Sequence, residues 1–279
     1  MKKQFIIITL ITFFFIIFST VSKAEVPAGD YDSAQGLCHD SLAQALRTII
    51  SNGYVFHTYG AARAEMYGYI DNNSGWVMCV YTGESFNLGV GGWPDDYELN
   101  CEHTYCQSWF KYDTGDMKTD LHHLFPTQPN VNSSRSNRPL DNVTVVISTW
   151  GSGDYISYNG KNSSSKNVFE PADQHKGDAA RAILYFIVRY GRDLQQDIFN
   201  ATTVNIDILP TLRQWHQQDP ISQKEINRND DIYDYQNNRN PFVDHPEYVE
   251  YIWGSCQSET DPPEFNGIKT AVPTGNTGE

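Results

Sequence analysis

Two neighbouring stretches decide how this chain is read: CEHTYCQSWF at residues 101–110 and TDLHHLFPTQPNVNSSRSNR at residues 119–138. They bring His103, His122 and His123 together with the oxygen donors Glu102, Asp120, Asn130 and Asn132. Histidine is the side chain whose ordinary pKa lies near neutrality, so the three imidazoles are candidate proton acceptors. Carboxylate and amide oxygens hold hard divalent cations, which neutralise the charge that builds on a phosphate during transfer. Other hydrolytic chemistries lack their signatures. There is no H-E-x-x-H, and adjacent His122 and His123 cannot share a helical face as zinc peptidase ligands do. No G-x-S-x-G marks a nucleophilic serine, and no C-x-x-C marks a zinc ribbon or a redox pair.

Outward from this segment, the chain has 279 residues, 39% of them hydrophobic and 13% aromatic, enough for one large compact domain or two small ones. Lys and Arg number 20 against 34 Asp and Glu, a net charge of −14, which excludes a protein that coats nucleic acid by bulk attraction. The charge is uneven: residues 102–192 hold 10 basic and 9 acidic side chains, so the candidate site lies in the least acidic part. Lys2 and Lys3, the apolar run Phe5–Phe18 and Ser22-Lys23-Ala24 read as an export signal over residues 1–24, too short for a spanning helix. Export allows up to two disulfides among Cys38, Cys79, Cys101, Cys106 and Cys256. Cys101 and Cys106 are poor mutual partners, because an extended segment of that length spans about 17 Å and a bridge needs Cα atoms within about 7 Å.

Periodicity predicts helices over 36–52, about 178–190 with Gly191 as the stop, 209–217 and 222–238, the last opened by Ser222 three residues before Glu225. Residues 54–97 are aromatic and Gly-rich, and a strand pair is expected there with Asn73-Ser74-Gly75 as its turn. Residues 152–167 have no apolar rhythm and are expected to form a surface loop, and 257–279 a disordered tail. No repeat and no composition shift divides the chain.

The strings themselves resemble a known family. Glu102-His103-Thr104 with Gln107-Ser108-Trp109-Phe110, then Asp120-Leu121-His122-His123-Leu124-Phe125-Pro126-Thr127 and Asn132-Ser133-Ser134-Arg135-Ser136-Asn137, are similar to the bacterial endonuclease I family of secreted and periplasmic nucleases. The likeness continues through Phe169-Glu170-Pro171, His175-Lys176-Gly177-Asp178, Trp215-His216, Asp219-Pro220 and Asn238-Arg239-Asn240-Pro241-Phe242, over roughly residues 38–256.

This resemblance implies an α+β fold: a single, mostly helical domain over 25–256, built around a ββα-metal core with a small antiparallel sheet. It implies His103 as general base, and Glu102 with Asn132 as ligands of one Mg²⁺, with Mn²⁺ or Ca²⁺ as substitutes. Asp120 and His122 would orient the loop. Arg135 is read from its own chemistry, a guanidinium beside the motif, as a contact for the substrate phosphate, a role the resemblance does not settle. Glu102 and His103 are adjacent, so serving one site requires the strand to bend at Glu102–Thr104. The periplasmic branch of the family commonly carries an acidic residue where Lys118 stands, which leaves the group orienting His103 unassigned. The implied activity is sequence-nonspecific endonucleolytic hydrolysis of DNA, RNA or both to 5′-phosphate ends, by a secreted or periplasmic monomer that has no membrane contact after signal cleavage. The alternative is a catalytically inactive extracellular binding module on the same fold, its 37 aromatics lining a ligand groove.

Overall fold

The computed structural model describes residues 26–27, 29–95, 97–110 and 115–256. The export segment and the C-terminal tail lie outside the described residues. The described residues combine helices with small antiparallel sheets and no parallel βαβ sheet, an α+β fold. Helix α1 (His39–Ser51) is followed by α2 (Tyr59–Glu65), which runs directly into a π-helical turn at Met66–Ile70. Strands β1 (Asn72–Asn73), β2 (Trp76–Met78) and β3 (Ser85–Asn87) form a meander. Next come β4 (Asn100–His103), the short α3 (Asp116–Thr119), β5 (Leu124–Thr127) and α4 (Pro129–Arg135). Strands β6 (Val145–Ser152), β7 (Tyr155–Lys161) and β8 (Asn167–Glu170) make a second meander. Six helices close the chain: α5 (Asp173–Tyr190), α6 (Leu194–Thr202), α7 (Leu209–Gln218), α8 (Gln223–Gln236), α9 (Pro241–Asp244) and α10 (Tyr248–Trp253).

The core is organised on α5. Ala179, Ala180, Ile183, Leu184 and Phe186 are buried along it, and α1, α7 and α9 pack around it. It ends where the sequence predicts, at Gly191 in the left-handed conformation (φ 61°), whose N–H bonds back to Ile187. It begins earlier than expected, because its first turn is polar: Lys176 bridges Glu170 and Asp173 at 2.6 and 2.7 Å in place of an apolar stripe. The α8 start is as read, with Ser222 accepting the Glu225 N–H at 3.2 Å. The expected turn at 73–75 is present: Ser74 and Gly75 both have positive φ between β1 and β2, as a two-residue hairpin demands.

The reading of 152–167 as a surface loop is corrected. Residues 155–161 are the central strand of the second meander, paired on both sides. Its inward positions are polar: Ser157 donates to the Tyr81 carbonyl at 2.7 Å and accepts from the Ala172 N–H at 2.9 Å, and Asn159 donates to the Ser134 carbonyl at 3.1 Å. A strand whose buried positions are polar shows no hydrophobic alternation to read. No helix among the described residues is long and apolar enough to cross a membrane.

One disulfide, Cys38–Cys256, joins the residue before α1 to the segment after α10, and α1 packs directly on α10. Cys79, Cys101 and Cys106 are free thiols. Because the bridge closes a separation of 218 residues, it removes much of the freedom of the unfolded chain. Cys38→Ser with Cys256→Ser is expected to lower unfolding stability by about 2–5 kcal/mol, read as a fall in urea midpoint.

Candidate active site

Strands β4 and β5 pair antiparallel, Glu102 opposite Phe125 and His103 opposite Leu124, and α4 follows β5 after one connecting residue. Pro129 opens α4, where a missing N–H is harmless. Asn132 and Arg135 stand three apart on α4 and therefore face the same way, onto β4. The strand keeps its register through His103, and the chain bends at Thr104–Tyr105, one step later than expected. A cavity of about 320 Å³ opens at this corner, and Glu102, His103, Gln107, Asn132 and Arg135 contribute to its walls.

The structure answers what orients His103. Its Nε2 lies 3.0 Å from the main-chain carbonyl of Lys118, so Nε2 carries the proton and donates it there. The lone pair is then on Nδ1, 3.2 Å from the Gln107 amide in the cavity wall. A backbone carbonyl does this work whatever the side chain, so Lys118 needs no acidic group to orient the ring. Burial, with like charge from His123, Lys118 and Arg135, lowers the pKa of His103 to about 3, so the ring is neutral at working pH.

Glu102 is 1% exposed. Its Oε1 accepts from the Tyr81 hydroxyl and from Arg135, each at 2.7 Å, and among the described residues no hydrogen bond reaches Oε2. Burial raises its pKa, and Arg135 and Tyr81 pull back against that. Asn132 spends its amide N–H groups on Asn100 Oδ1 at 2.9 Å and on the Cys101 carbonyl at 3.3 Å, which turns its carbonyl edge away from the strand. The atoms left over, one carboxylate oxygen and one amide oxygen, are hard donors that fit a Mg²⁺ ion keeping most of its water. Among the described residues no three His, Cys, Asp or Glu side chains are grouped to hold a metal, so any ion here depends on this two-donor set.

Arg135 departs from its expected role. It is 1% exposed, with its guanidinium turned inward to Glu102, the His103 carbonyl at 2.9 Å and the Thr104 carbonyl at 2.8 Å. Its charge is already engaged in tying α4 to β4, and a phosphate would have to compete with that network.

Asp120 and His122 lie behind the cavity. Asp120 is fully buried and accepts from the His122 N–H, Gln236, Tyr185 and Tyr190 at 2.8 to 3.1 Å. Burial pushes its pKa up, but His122, His123, Gln236 and Tyr185 more than reverse this and leave it lowered. His122 and His123 are pinned by the carbonyls of Asn238 and Met117 at 3.1 and 2.6 Å, and burial holds both near a pKa of about 4. The partners Tyr81, Asn100, Gln107, Tyr185 and Gln236 were not identified from the sequence. Apart from Asn100 and Gln107, they lie far from the motif and carry no spacing signal.

The profile of the family described as Endonuclease I matches residues 40–247. An extracellular ribonuclease of Bacillus subtilis (strain 168) is 34% identical over 234 residues, covering 80% of this chain and 77% of that protein. An extracellular ribonuclease of Bacillus amyloliquefaciens is 36% identical over 250 residues, covering 84% and 82%. A periplasmic deoxyribonuclease of Aeromonas hydrophila is 28% identical over 131 residues, covering 46% and 48%.

Removing the guanidinium strands a buried carboxylate, so Arg135→Met is expected to destabilise the fold by about 3–5 kcal/mol, and Arg135→Met with Glu102→Gln by distinctly less, in urea unfolding. The depressed pKa values of His122 and His123 have a second consequence. The unfolded chain takes up these protons near pH 6.5 and the folded one only near 4, so their contribution is complete above about 6.5 and is lost as pH falls towards 4. Stability measured between pH 7.5 and 4.5 should therefore fall less steeply in His123→Gln than in the wild type.

Proposed function

The chain belongs to the endonuclease I family, and from that premise we propose that it is a secreted, metal-dependent, sequence-nonspecific endonuclease that cleaves phosphodiester bonds of DNA, RNA or both, leaving 5′-phosphate ends. The observation that carries this reading is the pose of His103: neutral, its Nε2–H anchored on the Lys118 carbonyl, and its Nδ1 lone pair facing the cavity that Glu102 and Asn132 also line.

In this mechanism His103 Nδ1 takes the proton of the attacking water as the new P–O bond forms. Its anchored Nε2–H fixes the ring plane, and the adjacent carbonyl stabilises the imidazolium that results. Glu102 Oε2 and Asn132 Oδ1 would hold one Mg²⁺, which when bound supplies neutralisation of charge on the phosphate and on the departing 3′ oxygen. Arg135 holds Glu102 in place and opposes the effect of burial, which raises the pKa of that carboxyl. Asp120 and His122 hold the 120–123 turn, and through it the strand that faces His103.

The relatives' names, extracellular and periplasmic, and the export signal over residues 1–24 support action outside the cytoplasm.

The test is cleavage of closed-circular plasmid and of a structured RNA by the mature protein. Activity should require Mg²⁺ and vanish in EDTA. His103→Ala should lower kcat by about 10²–10⁴-fold at unchanged fold, and Glu102→Ala and Asn132→Ala should lower activity and raise the Mg²⁺ concentration needed for half-maximal rate. Full activity of His103→Ala would remove it as the base.

A further inference from the structure

We propose that a ledge of stacked aromatic and cationic side chains beside His103 is a subsite for an unpaired nucleotide flanking the scissile phosphate, so that single-stranded or looped nucleic acid is the preferred substrate. This rests on the nuclease reading above.

The Tyr59 ring lies 5.7 Å from the His103 ring, tilted by 32°. The Lys118 ammonium stands 4.9 Å over Tyr59, and the Arg63 guanidinium 5.4 Å over the same ring. Arg63 reaches on to Trp93 at 4.7 Å, and Trp93 meets Tyr67 edge-on at 5.6 Å. Tyr59 and Arg63 are close enough to Cys101 to perturb its thiol, and Cys101 lines the cavity that holds His103, so ledge and cavity adjoin.

Three features suit this ledge to a nucleotide. Trp93 is 48% exposed, a large indole face left open to water. Among the described residues neither Arg63 nor Lys118 makes an ion pair, in a chain with 34 acidic side chains to choose from. A guanidinium stacked on rings keeps its in-plane N–H groups free for an anion. The platform is also held in place. Trp93 follows a loop in which the Gly91 N–H bonds to the Gly68 carbonyl at 2.9 Å, and a Cβ on Gly68 would lie 3.1 Å from the Gly91 Cα. Gly68 belongs to the π-helical turn at Met66–Ile70, a distortion found often at functional sites. An exposed indole flanked by two cations that make no ion pair among the described residues matches a base with its neighbouring phosphates. A duplex keeps its base faces stacked inside and offers none of them to the indole.

Fluorescence anisotropy in EDTA, with labelled oligouridylate, oligothymidylate and a duplex of equal length, tests binding without chemistry. Wild type should favour both single strands. Trp93→Ala should weaken them by at least about fivefold and the duplex much less, and Trp93→Phe should restore most of the loss. Arg63→Met should lower the salt slope on single strands by about 0.7. With Mg²⁺, Trp93→Ala should raise KM on single strands far more than it lowers kcat, a split that a merely structural role would not produce. The subsite is overturned if Trp93→Ala, with unchanged circular dichroism, binds single strands as wild type does, or loses duplex and single strand equally. A wild type that binds single strands through Trp93 but cleaves nothing would overturn the nuclease reading and leave the subsite standing.

Discussion

Arg135 sits where α4 crosses β4, and the geometry of the site depends on the pair it makes with Glu102. Both side chains are almost wholly buried and meet at 2.7 Å. Two opposite charges taken out of water are not a strong source of net stability, but breaking such a pair is severe, so the pair acts as a specificity device. It admits one placement of the helix on the strand. In that placement the guanidinium also closes the carbonyls of His103 and Thr104, where the strand stops pairing regularly and turns away. Asn132, one turn earlier on the same helix, is set against Asn100 and Cys101 as a consequence.

Asp120 plays the corresponding part for the other half of the corner. One buried carboxylate collects Tyr185 and Tyr190 from α5 and Gln236 from α8, and through its own turn fixes His122. The segment carrying the Lys118 carbonyl leads directly into Asp120, so the orientation of one imidazole is backed by helices more than sixty residues away in sequence. A carboxylate held by four donors, two on each oxygen, in a dry interior is rigid in a way that apolar packing alone is not. This is a physical reason for so large a scaffold around so short a candidate-site segment.

What could be read in the sequence follows the same division. α1, α7 and the body of α5 announce themselves by apolar spacing, and the 73–75 turn by its Asn-Ser-Gly chemistry, because local rules govern them. The motif residues Glu102, His103 and Asn132 could be named because they are close in the chain and resemble known strings. The strand at 155–161 was misread because its buried positions are Ser157 and Asn159, whose partners Tyr81, Ser134 and Ala172 are remote. The engagement of Arg135 with Glu102 is invisible in the sequence for a related reason. A basic residue beside a phosphate-handling motif suggests a substrate contact, and nothing local reveals that a buried carboxylate already claims it.

The single disulfide has a consequence for how the molecule matures. Cys38 must find Cys256 across a separation of 218 residues, while Cys79, Cys101 and Cys106 are all nearer along the chain and all wrong. Chain proximity therefore favours mispairing, and only the docking of α10 on α1 selects the right thiol. The other thiols are protected by burial, which raises Cys101 and Cys106 to about 12 and leaves almost no thiolate to react. That protection exists only after the core has formed. An oxidant that arrives before folding would trap tangled isomers, and one that arrives afterwards would find a single competent pair, so the order of folding and oxidation decides the yield of active molecules.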